Sequence, residues 1–158
     1  MINIRRAKVA DAVALAPRLR DADRAELKAA LGMAPEVSLP IAVRQSPYVW
    51  AAEDEEGAQG LFGLDPVKGY PDFGIVWLVT SDAIWRHRRE LQRLTPEWLD
   101  TMHGICPLLG NHIDARNTVH IRWLKRMGFS FLQTHERFGV ERRPFHEFAR
   151  LRNQPCAA

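Results

Sequence analysis

The segment from Cys106 to Phe129 most constrains the fold, because it contains a complete strand–turn–helix–turn pattern. It opens with a short apolar run, and after Asn117 apolar residues recur at positions 119, 123 and 127. A spacing of four places these side chains on one face of a helix. Gly128 stands where a helix end needs a left-handed backbone, and Phe129 opens the next apolar run. We therefore expect an amphipathic helix between two strands, packed on a sheet.

The rest of the chain predicts further strands and helices. Residues 73–80 form an apolar, β-branched run that is typical of a central strand buried on both faces. Asp11 is a candidate N-cap, Pro35 and Pro40 indicate a loop, and Thr95 followed by a proline indicates a helix restart or kink. The expected elements are a strand at 2–5, helices from about 11 to 19 and 21 to 31, a hairpin at 48–64, a strand at 73–80, a helix at 83–104, a strand at 106–114, a helix at 118–127, and strands at 129–138 and 143–150. The order is β, α, α, β, β, β, α, β, α, β, β.

Length and composition favour one soluble domain. The chain has 158 residues, of which 46% are apolar, so it can bury a core without staples. No apolar run approaches the roughly 18 residues that span a membrane. Two cysteines, one of them in an apolar context, do not suggest a disulfide framework. We expect a single domain over 1–158, with a flexible tail from about 153, and a cytosolic location.

Basic residues concentrate in the second half of the chain. The net charge is only +3, yet arginines cluster at 86–93 and 116–126, whereas residues 53–56 are acidic. This asymmetry indicates either an acidic partner or polyanion near the second half, or solvated helix faces. Trp85 and Trp123 could stack on bases, but both also suit a core, and we do not expect nucleic-acid binding.

Two motifs carry a resemblance to a known family. The segments Val76-Trp-Leu-Val-Thr-Ser-Asp-Ala-Ile-Trp-Arg and Asn117-Thr-Val-His-Ile-Arg-Trp-Leu-Lys occur in the order β-α-β-α-β. They resemble the GNAT (GCN5-related N-acetyltransferase)-like internal virion proteins of short-tailed, T7-like bacteriophages. The resemblance implies an α/β fold, a single-domain GNAT-like mixed sheet with helices on both faces. It implies a phage origin, and it does not by itself imply catalysis.

The resemblance also implies a cofactor. GNAT enzymes bind acetyl-CoA where the fourth and fifth strands separate, with the pyrophosphate at the N-terminus of the next helix. By this resemblance the predicted contacts are Val79, Thr80, Ser81, Arg86, Arg88 and Asn117. The family's glycine-rich phosphate turn is absent here, since residues 80–89 contain no glycine and Trp85 and His87 are bulky. The arginines would have to supply side-chain charge instead.

Catalytic residues are less clearly indicated. Many GNAT enzymes carry a tyrosine acid seven residues after the asparagine, and that position here is Leu124. His112 on the fifth strand is a candidate proton relay, or else a structural histidine. Glu53 is a second candidate base, or else part of a solvated turn. A metal site from His112, Asp114 and His120 lacks a completing ligand, so we predict no metal.

Two functions follow as hypotheses. The first is an acetyl-CoA-dependent N-acyltransferase that acts on a small-molecule or protein amine. The second is a non-catalytic GNAT-fold protein that binds a host or virion protein. Either would act in the cytoplasm of an infected bacterium or in the virion.

Overall fold

The chain folds around one mixed sheet of seven strands. The structure is a computed structural model and describes residues 1–153 and 156, so most of the expected tail lies outside the described residues. The strands are β1 (Asn3–Arg6), β2 (Tyr48–Asp54), β3 (Gly57–Val67), β4 (Tyr70–Thr80), β5 (Leu108–Asp114), β6 (Ser130–Phe138) and β7 (Arg143–Leu151). Their spatial order is β1-β2-β3-β4-β5-β7-β6, and among these described strands only the β4–β5 pair is parallel.

Five α-helices cover the two faces of the sheet. They are α1 (Val9–Leu15), α2 (Asp21–Leu31), α3 (Pro35–Gln45), α4 (Arg88–His103) and α5 (Thr118–Arg126). Short 3₁₀ segments, Ala16–Arg18 and Asp82–His87, follow α1 and precede α4. One core lies between α1, α3 and β2–β4, and a larger core lies between α4, α5 and the other face. Within residues 1–153 and 156, no helix is long and apolar enough to cross a membrane.

The amphipathic helix of the opening motif is confirmed as α5. Met127 and Phe129 are buried, and Gly128 has φ +83°, the left-handed conformation predicted at the helix end. Cys106 is fully buried, as an apolar context predicts. The apolar side of α5 therefore packs in the same core as the buried residues of β5.

Three details of the prediction are wrong. The segment from Pro35 to Pro40 is helix and not a loop, because Pro35 occupies the first helical turn, where no N–H is needed. Asp11 is not the N-cap of α1 but its third residue, and its carboxylate accepts a bond from the Lys8 N–H at 2.7 Å. Of the two alternatives at Thr95, the separate helix restart is wrong: α4 continues through Pro96, and the Thr95 hydroxyl donates to the Leu91 carbonyl at 2.6 Å.

Candidate functional site

The central feature of the site is a gap between β4 and β5. These strands pair only where Phe73–Ile75 meets Leu108–Gly110, and then they diverge. Asn111 closes the narrow end, because its side-chain amide donates to the Val76 carbonyl at 2.9 Å. The separation of the fourth and fifth strands that the resemblance implies is confirmed; the two strands are parallel and open toward their C-terminal ends.

A cavity of about 500 Å³ occupies this gap. Residues 76–79 of β4 and 111–113 of β5 line it, together with side chains of α2, α4 and α5. A second cavity of about 110 Å³ lies on the α4 side and is lined mainly by apolar side chains. The gap can therefore hold an extended, thin ligand between the two strands.

The backbone of Leu78 faces the gap. The Thr80 N–H donates to Asp23 of α2 at 2.9 Å, and the Thr80 carbonyl accepts from the Arg20 N–H at 3.0 Å. The backbone N–H and C=O of Thr80 therefore point away from β3. Alternate residues of an antiparallel ladder point the same way, which turns the N–H and C=O of Leu78 toward β5. No hydrogen bond across the gap reaches them from residues 1–153 or 156. They offer one donor and one acceptor to a bound amide group.

A polar cluster closes the wide end of the gap. The Asn117 amide donates to Asp23 at 3.0 Å and to Glu26 at 3.3 Å, which joins α5 to α2. The Glu26 Oε2 atom also accepts the Asp114 N–H at 2.9 Å, while Asp23 holds Thr80 at the end of β4. The Asn117 Oδ1 atom is buried without a hydrogen-bond partner among the described residues. Two strand ends and two helices thus converge on Asp23 and Glu26.

Burial sets the protonation of this cluster. It raises the pKa of Glu26 to about 8, and the neighbouring Asp23 and Asp114 carboxylates add to the rise. Burial also lowers the pKa of His120 to about 4, although its Nδ1 atom lies 3.3 Å from Asp23. At neutral pH the imidazole is therefore uncharged, and Glu26 is close to its titration point. A carboxyl group with such a pKa can exchange protons with an amine.

The predicted cofactor contacts separate into two groups, and the first of them lies at the gap. Thr80 and Asn117 both bond to Asp23, and Val79 lines the larger cavity. Ser81 is buried beside them, but its hydroxyl donates to a glutamine of β3 at 2.6 Å. The structure brings the first three of these residues together at the gap.

The predicted arginines lie elsewhere. Arg86 is exposed and makes two hydrogen bonds of 3.1 Å to Glu56 on the β2–β3 turn. Arg88 is exposed at the start of α4. Between this segment and α5, the rings of Trp85 and Trp123 meet edge to face with centroids 6.4 Å apart. Whether the two arginines contact a ligand stays a prediction.

The two predicted catalytic residues are far apart in the fold. His112 lines the larger cavity, and burial lowers its pKa, as does the neighbouring His135. Glu53 lines neither cavity; it forms an ion pair of 2.6 Å with Arg5, whose hydrogen bond lowers the pKa of the carboxyl. The catalytic roles of both residues stay predictions. Leu124, which stands at the position of the tyrosine acid in the resemblance, does line the larger cavity.

Asp23 and Glu26 are the residues that sequence reasoning missed. They are three positions apart in α2 and so lie on the same side of the helix, beside the apolar Leu27 and Ala30. Two acids on the apolar side of an amphipathic helix were the available signal. That signal was hidden because Asp23 also suits a helix start.

Comparisons with solved structures identify the fold. A GCN5-related N-acetyltransferase from Kribbella flavida is 20% identical with a TM-score of 0.68, over 95% of this chain and 97% of that one. AAC(6′)-Ib, in complex with ribostamycin and coenzyme A, is 14% identical with a TM-score of 0.69, over 97% and 94%. The fold is that of the GNAT acetyltransferases. A third GNAT-fold neighbour, the ribosomal-protein-S18-alanine N-acetyltransferase of Escherichia coli, is 13% identical with a TM-score of 0.64, over 100% and 96%.

Sequence comparison gives a partial match to a phage protein. The family described as bacteriophage T7, probable scaffold protein Gp13, matches residues 69–136. The probable scaffold protein gp13 of Escherichia phage T7 is 37% identical over 67 residues, which are 40% of this chain. The match spans about half (49%) of that protein's length. The similar region runs from β4 to most of β6 and includes both strands of the gap.

Proposed function

We propose that the chain binds acyl-CoA in the β4–β5 gap and transfers the acyl group to an amine. The observation that carries this proposal is the open gap with a titratable carboxyl, Glu26, at its wide end. The backbone groups of Leu78 match the amides of a pantetheine arm, and the GNAT fold adds support. Bound acyl-CoA would supply the activated acyl group as a thioester.

The residues around the gap would act mainly by position and by proton transfer. Glu26 would accept the proton that the amine loses as its nitrogen attacks the thioester carbon and the C–S bond breaks. Water would protonate the departing thiolate, because neither Tyr48 nor Tyr70 lines either of the two cavities described above. The Asn117 amide would hold the Glu26 carboxyl in place. Holding the reactants in line supplies much of the rate.

A gap-filling variant tests the binding step. Leu78 lines both cavities, so Leu78→Trp should fill the gap, whereas Leu132→Trp on exposed β6 should leave it open. Acetyl-CoA should raise the melting temperature of wild type and of Leu132→Trp, and should not affect Leu78→Trp. Thiol release in the presence of small amines or host proteins then measures transfer. The proposal fails if millimolar acetyl-CoA binds none of the three proteins.

A second function is favoured by the match to the T7 protein described as a scaffold protein. In this alternative the fold binds a virion or host protein and transfers nothing, in an infected bacterium or an assembling virion. The segment at 81–88 favours it too, since it has no glycine and Arg86 is already paired. Specific capture of one virion or host protein by Leu78→Trp as well as by wild type, with no acetyl-CoA binding by wild type, would support this alternative.

A further inference from the structure

A cluster of two histidines and one glutamate lies outside the polar cluster described above. His112 of β5 and Glu147 of β7 are directly opposite each other in the antiparallel ladder, so their side chains lie on one face. Gln133 of β6 is also opposite Glu147, and His135 follows it by two residues on the same face. Three neighbouring strands therefore bring an imidazole, a carboxylate and a second imidazole together.

The three ligand groups are spaced for one small ion. One nitrogen of His112, one nitrogen of His135 and one carboxylate oxygen of Glu147 all lie within 4.8 Å of one another. The His135 Nε2 and Glu147 Oε2 atoms are already 2.9 Å apart. Ligands at about 2.0–2.1 Å from a tetrahedral zinc ion are ~3.3 Å from each other. Shifts of roughly 1.5 Å or less in the separations of the three ligand atoms would bring them all to that distance.

The surroundings of the cluster support the ligands. The Gln133 amide donates to the Glu147 Oε2 atom at 2.7 Å, which orients the carboxylate as outer partners do in metal sites. The Phe138 ring stacks on His112 with centroids 4.5 Å apart and restricts its rotation. The side chains of His135 and Glu147 are 37% and 31% exposed, so an ion can enter from solvent.

We propose that His112, His135 and Glu147 form a zinc-binding site with one open coordination position. Two imidazole nitrogens and one carboxylate oxygen suit Zn²⁺ and do not suit Mg²⁺ or Ca²⁺, which prefer oxygen ligands. His112 also lines the larger cavity, so the ion would lie at the wall of that cavity. The site does not depend on acyl transfer, and its test uses Zn²⁺ alone.

Calorimetric titration of the untagged protein with Zn²⁺ tests the site. Wild type should bind one ion, and Glu147→Gln and His135→Asn should each bind at least about 10-fold more weakly. His146→Gln is the matched control, because His146 directly precedes Glu147 but lies on the opposite face, where it is hydrogen-bonded to Thr134 at 2.8 Å. Bound Co²⁺ should show the intense visible bands of a four-coordinate site in wild type and in His146→Gln.

Melting curves without metal show whether each variant is folded, and both site variants change partly exposed side chains. Equal zinc affinity in all four proteins would overturn the site, as would an equal loss in His146→Gln. A weak, six-coordinate Co²⁺ spectrum in wild type would also overturn it.

Discussion

The gap between β4 and β5 and the segment that follows β4 differ in how they present polar groups. In the gap, the groups that face a ligand belong to the backbone of Leu78 and to a cluster around Glu26. In the segment 81–88, the charged groups belong to side chains, and Arg86 is paired with Glu56. One region has the diverging parallel strands of the GNAT fold, and the other contains no glycine.

The difference teaches which part of a binding site depends on sequence. The gap depends on where two strands stop pairing, which many sequences can produce as long as the sheet is maintained. A phosphate turn depends on glycines, because only they let a backbone N–H approach the anion closely. A chain can thus keep the first region while losing the second.

Removing the Glu26 carboxyl from the gap should have the largest effect on acyl transfer. Glu26→Gln should lower kcat/KM for acyl transfer by roughly 10²-fold or more, because the variant has no base. In wild type kcat/KM should rise with pH up to about 8, the pKa of Glu26, since only the ionised form accepts a proton. That rise should be absent in Glu26→Gln. Asp21→Asn, at the exposed start of α2, is the control, and an unchanged pH profile in Glu26→Gln would rule out this base.

Installing the missing acid should act in the opposite direction. Leu124→Tyr places a phenol at the wall of the larger cavity and should raise any basal transfer rate by roughly 10²-fold. Leu124→Phe supplies the ring without the hydroxyl and should leave the rate unchanged. Equal rates in the two variants would mean that the thiolate does not form near position 124.

The stability of the protein should also show the Glu26 shift. A pKa raised to about 8 means that folded Glu26 keeps a proton that the unfolded chain releases above about 4.5. Wild type should therefore lose stability relative to Glu26→Gln as the pH rises from 4.5 to 8, by a few kcal/mol at most. His120 has the opposite effect, because its lowered pKa makes the folded protein less stable as the pH falls from 6.5 toward 4. Both proteins contain His120, so its effect cancels in the difference between them. Urea unfolding at pH 5 and pH 8.5 measures the difference, and a constant difference would mean that the pKa of Glu26 is not raised in the folded protein.

Shortened ligands measure how much the gap and the segment 81–88 each contribute to the affinity for acetyl-CoA. If the gap supplies most of the affinity, acetyl-pantetheine should bind within about 10-fold of acetyl-CoA, a difference of about 1.4 kcal/mol. Adenosine 3′,5′-bisphosphate, which lacks the pantetheine arm, should bind far more weakly than either. Calorimetry on the wild-type chain makes the comparison. Tight binding of the bisphosphate alone would reveal a phosphate site that the contacts around 81–88 do not indicate.

Changing Arg86 should have the smallest effect. Its ion pair with Glu56 is exposed on both sides, so Arg86→Ala should leave stability and acetyl-CoA affinity almost unchanged. Glu56→Ala should free the guanidinium, and an increase in affinity in that variant would show that Arg86 can reach the ligand. A large loss of affinity in Arg86→Ala would return the phosphate site to this segment.

The sequence predicted the elements that periodic patterns specify and missed those that depend on distant contacts. The end of α5 at Gly128 follows from local backbone requirements, and the parallel orientation of β4 and β5 follows from the β-α-β order. Their divergence was implied only by the resemblance to GNAT enzymes. The helix at 35–45 was missed because two prolines usually mark a loop, yet one of them fits a first helical turn. The cluster at Glu26 could not be predicted, since its partners Asp114 and Asn117 are about 90 residues away along the chain.

Besides its two outer edges, the sheet has an internal edge, which begins where the hydrogen bond from Asn111 to Val76 ends the contact between β4 and β5. Beyond that bond, β4 has open backbone groups on one side although it lies in the middle of seven strands. An open edge on the outside of a protein invites pairing with another sheet and aggregation. Here helices on both faces enclose the edge, so that a narrow chain can lie along it while a second sheet cannot approach.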